Sequence, residues 1–269
     1  MKNSEQNALA GLRKSSLKRD DETDPNGRLY WDDQGNKYFS VTRILGATAP
    51  PHQKQALERW LARPGSEQDR DTAATRGTLA HNHAEYILKT GAQLARKAAN
   101  KRNVWKTHSD GLERCPGSIT SWGIERAIQG APRVPWSAAG YARGLRGWIG
   151  KNVTAIHAVE FSIYHPLGMA GTADALLDIQ GKGPFIVDWK TSQRERSEEM
   201  LSNYVDQCGA YSLGLKHLTG IQAAGAYIVI ARRTGAPQIR ELSQLELFGA
   251  EKRFESRCRT YFDQLREVS

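Results

Sequence analysis

The chain has 269 residues, 38 Lys plus Arg against 29 Asp plus Glu, and a formal net charge of +9. With 39% apolar and 25% charged residues it has the composition of a folded globular protein, long enough for one large domain or two small ones. No run of about 18 apolar residues is present, which excludes a spanning helix. Residues 1–24 lack an apolar signal core, and the three cysteines (Cys115, Cys208, Cys258) suit a reducing compartment.

In chain order, residues 1–27 read as a flexible lead, a frayed terminus in preference to a transit peptide. Residues 28–40 predict a hairpin, with Asp33, Gln34, Gly35 and Asn36 as turn formers between two aromatic arms. Ser40 or Thr42 is placed to cap a short helix over 41–45, and Pro50-Pro51 breaks the chain. A short amphipathic helix over 52–63 carries Leu57, Trp60 and Leu61 and stops at Pro64-Gly65. Residues 69–90 predict a longer helix whose inner side holds Leu79, His83 or Tyr86, and Ile87. Residues 91–150 are expected to be helical with breaks at Pro116, Pro132 and Pro135.

The pattern changes after Gly150. Three strands are predicted over 154–164, 171–179 and 184–189, then a helix over 198–218 and a buried strand over 224–231. An edge strand over 238–242 and a closing helix over 245–268 complete the chain. The expected fold class is α/β, a mixed core around one sheet, in a single domain spanning 28–269.

The charge is not spread evenly. Residues 86–159 carry 12 basic and only 3 acidic residues, whereas 1–85 and 160–269 are close to neutral. From Tyr86 to Ser109 six Lys or Arg occur without an acid: Lys89, Arg96, Lys97, Lys101, Arg102 and Lys106. Arg126, Arg133, Arg143, Arg146 and Lys151 follow. The absence of interleaved acids favours a polyanion-binding surface over a merely solvated face. Trp105, Trp122, Trp136, Tyr141 and Trp148 lie in the same region. Such rings can stack on unpaired bases, although most are expected to pack in the core.

The chemistry concentrates in Gly171-Thr-Ala-Asp174 and Ile186-Val-Asp188-Trp-Lys190-Thr-Ser192. Alternation places Asp188 and Lys190 on one strand face. Asp174 reaches the same spot if the strands pair across a turn at 180–183. Taken alone, Asp-x-Lys is common; here Asp188 interrupts the apolar strand PFIVDW, where a charge is costly without a partner. Two carboxylates suit a hard cation such as Mg²⁺, and the lysine suits orienting a water or stabilising phosphate charge. Upstream, His81 and Glu85 are four apart on a helix; downstream, Gln207 and Tyr211 are likewise four apart. Contiguous helical residues diverge, so His81-Asn-His83 is no single-ion chelate. Glu160, an acid in an apolar strand, is either a further ligand or an outward-facing residue.

These residues resemble the PD-(D/E)XK nuclease superfamily in its RecB-like exonuclease branch. Gly77-Thr-Leu-Ala-His81-Asn-His-Ala-Glu85 matches the branch's first motif, and GTAD174, IVD188WK190TS and Q207CGAY211 follow in order. The segment Y38FSVTRIL45 is similar to the mitochondrial genome maintenance exonucleases and their phage and bacterial relatives. The resemblance implies an αβββαβ restriction-endonuclease-like core with a basic helical insertion at about 91–150, between the first core helix and first core strand. It implies Mg²⁺, or Mn²⁺ in its place, on His81, Asp174, Asp188 and the Trp189 carbonyl, with Glu160 a weaker ligand. Lys190 then positions water, Gln207 and Tyr211 hold DNA or the lysine region, and Gly77 and Glu85 are supporting. Ser40, Thr42, Arg43, Lys97, Lys101, Arg102, Lys106, Arg143 and Arg146 are assigned to DNA. The cysteine quartet of the iron–sulfur members is missing, so no cluster is expected. Asp188 stands where many relatives have Glu.

The expected function is a metal-dependent DNA exonuclease preferring single strands or ends, in replication, repair or recombination. The alternatives are a structure-specific endonuclease and a catalytically silent DNA-binding accessory protein. A cytoplasmic location, in a bacterium or a phage-infected cell, is expected before a mitochondrial one, with no membrane partner.

Overall fold

Residues 28–40 form the hairpin that the turn chemistry predicts. Strands β2 (Leu29–Trp31) and β3 (Lys37–Ser40) pair antiparallel, with Tyr30 opposite Tyr38. Asp32 closes the turn, its carboxylate accepting the N–H groups of Gln34 and Asn36, both at 2.9 Å. The computed structural model describes residues 17–21, 24, 27–104 and 118–268, with 101–104 and 268 described by backbone alone. Within the stretch expected to be a flexible lead, β1 (Lys18–Asp20) pairs with β2 as an edge strand.

Helix α1 (Val41–Ala47) is capped by Ser40, and α2 (Pro51–Leu61) starts with a proline, whose missing N–H costs nothing there. Helix α3 (Ser66–Val104) joins the helix expected over 69–90 to the start of the helical stretch expected after it, running through Gly91 without a break. Gly91 serves a crossing instead. Helix α4 (Ile119–Gln129) passes so close that a Cβ on Gly123 would lie 2.4 Å from the Gly91 carbonyl. The buried stripe of α3 is Ala80, His83, Ala84, Ile87 and Leu88, while Tyr86 is exposed. Small alanines let α3 lie against the sheet, and they give little amphipathic signal. Helix α5 (Trp136–Asn152) follows Pro135.

The next elements match their predicted order. Strands β4 (Val153–His165), β5 (Met169–Ile179) and β6 (Pro184–Ser192) run antiparallel in turn. Helix α6 (Glu198–Thr219) crosses over to β7 (Gly225–Arg232), which lies parallel to β6. Strand β8 (Gln238–Ser243) forms the edge, and α7 (Gln244–Val268) closes the chain.

Among the described residues eight strands make one mixed sheet, ordered β1-β2-β3-β5-β6-β7-β8 with β4 also on β5. Alternation sends Ile186, Ile228 and Ile230 to the face covered by α1, α6 and α7, among Leu201, Leu215 and Phe254. Val187, Trp189 and Val229 face α3, α4 and α5, among Ile87, Leu145 and Trp148. The expected α/β class with one mixed sheet holds.

The sheet forks at β5. One flank of β5 pairs with β4 along its length. The other pairs with β3 only at Met169 and Ala170, and with β6 only over Ala175–Asp178. Between those two patches, Gly171–Asp174 have no ladder partner on that flank.

Candidate active site

The fork is where the polar side chains meet. Beyond Val187, β6 diverges from β5 and keeps its pairing with β7 alone. A side chain takes the place of the missing ladder bond: Asp174 Oδ2 accepts the Trp189 N–H at 2.6 Å. A strand residue turns its N–H and C=O to the same side, so the Trp189 carbonyl faces the fork as well. Asp188 and Lys190 point to the α6 face and form an ion pair at 2.5 Å. Asp188 is 1% exposed, and its Oδ2 has that ion contact without an aligned hydrogen bond.

Helix α3 enters the fork from the opposite face. Gly77 permits the approach: a Cβ there would touch Thr191 Oγ1 at 3.3 Å. One turn on, His81 Nδ1 lies 3.6 Å from Asp174 Oδ1. His83 points away from the fork, buried near Arg146. Glu85 forms an ion pair with Lys89 and also acts electrostatically on Glu160.

Glu160 is brought into the cluster. Its register neighbours Val159 and Phe161 pair with Ala175 and Ala173, which sets it against Asp174. Its φ of +50° is a left-handed value that a non-glycine residue adopts at a cost.

Helix α6 supplies the last wall. Gln207 and Tyr211 are buried, not a surface pair, and the Gln207 amide donates to Tyr211 Oη at 2.6 Å. Gly171 leaves room for the Tyr211 ring. Tyr204, which sequence reasoning missed, holds its ring centroid 5.0 Å from Lys190 Nζ. Its only sequence signal is its place three residues before Gln207, one turn along the same helix face.

The electrostatics are those of a carboxylate cluster short of positive charge. Burial pushes Asp188 up, and the nearby Asp174 charge adds to this against the pull of Lys190. Burial, then Asp174 and Glu85, push Glu160 up to about 7. Burial also opposes the charge on Asp174, but His81, Lys190 and the Trp189 N–H outweigh it and lower its pKa. For His81 and Lys190 burial is likewise outweighed by the carboxylates, and both are raised. Tyr211 is held well above its ordinary value by burial and by the two aspartates.

Other expected residues lie elsewhere. Ser40 is buried and accepts the Arg43 N–H at 3.1 Å as the cap of α1. Arg43 is bound to Asp24 and to the Tyr261 hydroxyl, both at 2.7 Å. Those two side chains are engaged in structure. Thr42, Lys97 and Arg143 are exposed and Arg146 is half-buried. The side chains of Lys101 and Arg102, and the whole of Lys106, lie outside the described residues.

The family model of the PD-(D/E)XK nuclease superfamily matches residues 38–268. The chain belongs to that superfamily. It is 28% identical over 210 residues to mitochondrial genome maintenance exonuclease 1 of Mus musculus, covering 76% of this chain and 52% of the relative. The Homo sapiens protein of the same name is 25% identical over 228 residues, covering 80% and 55%. The chain thus spans about half the length of the curated relatives it matches. A crystal structure from Eubacterium rectale, of a protein provisionally named an exonuclease, aligns at 14% identity and a TM-score of 0.44, covering 84% of this chain and 80% of that one.

Nucleases of this superfamily typically use divalent metals, and the fork fits one by its donor chemistry. It offers carboxylates, an imidazole and a main-chain carbonyl, and its buried Asp188 Oδ2 lacks an aligned hydrogen bond. Among the described residues no group of three His, Cys, Asp or Glu side chains is already arranged to hold a metal ion.

Proposed function

We propose that this chain is a metal-dependent DNA exonuclease that hydrolyses phosphodiester bonds, preferring single strands or free ends, in replication, repair or recombination. The carrying observation is the fork, which gathers His81, Asp174, Asp188 and Lys190 at one break in a buried sheet. A structural role alone gives no reason to bury two carboxylates and a lysine there. The superfamily membership supports the same reading.

In this reading Asp174, Asp188 and the Trp189 carbonyl hold Mg²⁺ or Mn²⁺, with His81 beside them and Glu160 as a further acid. The ion supplies Lewis acidity toward the scissile phosphate and a more acidic water. Lys190, held between Asp188 and the Tyr204 ring, orients the attacking water and offsets negative charge on the phosphate. Tyr211, held by the Gln207 amide, lies close enough to Asp188 and Asp174 to feel their charge and forms a wall of the site. The exposed basic side chains of α3 and α5, Lys97 and Arg143 among them, hold the phosphate backbone. Asp174 enters the reaction ionised, because its neighbours keep its pKa low.

The test is Mg²⁺-dependent digestion of end-labelled single-stranded DNA by the wild type, Asp188→Ala and Lys190→Ala. Loss of activity in both variants is expected, and full activity in both refutes the mechanism. Cleavage of a closed circular single strand would make the enzyme an endonuclease. Tight binding in EDTA without cleavage under Mg²⁺ or Mn²⁺ would make it a silent binding module. Among the described residues no helix is long and apolar enough to cross a membrane. We assign the activity to the cytoplasm, while the mammalian relatives carry a mitochondrial name.

A further inference from the structure

Five aromatics in the basic region have equal claim, by sequence, to stack on bases, and packing separates them. Tyr141 and Trp148 are buried, and Trp148 packs edge-on to Trp189 with ring centroids 5.6 Å apart. Trp122 is half-buried, and Trp105 lies outside the described residues. Trp136 is 82% exposed, the most exposed large apolar side chain among the described residues. Arg233 lies over its ring, 5.1 Å from the centroid.

The position of Trp136 connects it to the fork. In the parallel β6–β7 ladder Lys190 pairs with Ile230 and Ser192 with Arg232. Arg233 therefore leaves the sheet at the edge that carries Lys190, about 10 Å further along at 3.3 Å per residue. The first turns of α5 are fixed to that edge, since a Cβ on Gly140 would lie 1.9 Å from the Arg233 carbonyl oxygen. From the other side, Arg76 directly precedes Gly77, where a Cβ would meet Thr191 Oγ1 at 3.3 Å. Its guanidinium is 6.0 Å from the Tyr141 ring, and it shares with Ser137 and Thr75 a cavity of about 490 Å³ between α3 and α5. Glu67 and Asp71 also line this cavity, so its lining mixes both signs.

We propose that Trp136, backed by Arg233, is a stacking platform for an unpaired nucleobase of the strand whose phosphate enters the fork, with Arg76 and Arg233 facing the sugar–phosphate between them. The proposal rests on the nuclease reading above and deepens it by naming the recognised group: a base free of its duplex stack. An exposed indole against a guanidinium offers a flat π-face and a cation together, which single-strand binders use without regard to sequence. A base paired inside a duplex cannot present its face to such a platform, so the platform favours single strands and frayed ends.

The test uses fluorescein-labelled oligo(dT) and an abasic oligonucleotide of equal length, with wild type, Trp136→Phe and Trp136→Ala, in EDTA so that nothing is cut. Fluorescence anisotropy is expected to show oligo(dT) binding weakened about tenfold in Trp136→Ala and largely kept in Trp136→Phe. Abasic binding should be nearly the same in all three, and part of the tryptophan quenching on oligo(dT) should vanish with Trp136. Equal losses on both oligonucleotides, or no loss on either, overturn the platform. If wild type still cuts single strands with Mg²⁺ in that case, only the platform falls. A wild type that neither binds nor cuts them overturns the platform and the nuclease reading together.

Discussion

Glu160→Gln should stabilise the metal-free protein at neutral and basic pH. Glu160 is partly buried beside Asp174 and Glu85, and those surroundings push its carboxyl from 4.5 to about 7. An acid whose pKa rises on folding binds more protons in the native state, so unfolding becomes easier as pH climbs through the gap. The penalty is absent below about pH 4.5, grows between 4.5 and about 7, and is complete above that. The full gap corresponds to at most ~3–4 kcal/mol. Residual solvent around the carboxylate reduces this to about 1–2 kcal/mol. Glutamine keeps the shape and the φ preference and removes the charge. The expected gain is therefore a Tm roughly 2–8 °C higher at pH 8, fading toward pH 4.5. Thermal unfolding by circular dichroism in EDTA, at steps from pH 4.5 to 8, measures it. Mg²⁺ should narrow the gap, because an ion in the fork neutralises the wild-type carboxylates and stabilises by mass action. A variant equally or less stable than wild type at every pH would refute the argument, and would mean that the Glu160 charge is already compensated in the fold.

Tyr204→Leu should lower kcat by roughly 2- to 30-fold, the value of one cation–π contact, while Tyr204→Phe keeps most of the rate and KM stays put in both; a decrease in Phe equal to that in Leu would assign the effect to the hydroxyl. Glu246→Ala should cost about 1 kcal/mol by thermal unfolding at pH 7. Its carboxylate accepts the Ser243 N–H at 2.8 Å while Ser243 Oγ accepts the Glu246 N–H at 3.3 Å. The Ser243 N–H and then Arg240 hold Glu246 down to about 2 from 4.5, so its contribution is present above 4.5 and lost as pH falls through about 2. An unchanged wild-type-to-variant difference down to pH 2 would dismiss the cap. Charge reversal at Lys97, Lys101 and Arg102 should weaken DNA binding and flatten the salt slope by about 0.7 for each single-strand phosphate no longer neutralised; an unchanged slope would make that stretch a solvated helix face.

The parts of this fold that are legible in the sequence are those set by local periodicity. Asp188 stands out because it interrupts an apolar run, and alternation puts Lys190 on its face, where the ion pair forms. Asp174 depends on a turn at 180–183 that the β5–β6 pairing realises. Glu160 stays between two readings in sequence because alternation says nothing of its φ of +50°, which depends on how β4 meets β5. Helix α3 continues unbroken through Gly91, a residue unfavourable in a helix by propensity but needed for a close crossing with Gly123. The contacts that Arg43 makes with Asp24 and Tyr261 are invisible in the sequence, because those partners are 19 and 218 residues away. The same limit hides Trp136, because Trp148 has identical chemistry and only its packing among Trp189 and Tyr227 puts it in the core.

The uneven charge of the chain acquires a physical sense from the fork. Asp174, Asp188, Glu160 and Glu85 surround it, so a phosphate approaching a metal-free fork meets net repulsion. Basic side chains flank it: Lys89 and Arg96 on α3 line a groove of about 900 Å³ whose walls also include His157 and Glu160 on β4. An excess of Lys and Arg inside the fork itself would cancel the carboxylates and weaken their hold on a divalent cation. An excess next to it attracts the polyanion without that cost, within the Debye length of about 10 Å at moderate salt. Under the proposed function, separate acidic and basic zones would answer two opposed requirements, holding a cation and holding a phosphate chain. In the proposed function, an ion bound between them would satisfy both at the bond to be cut.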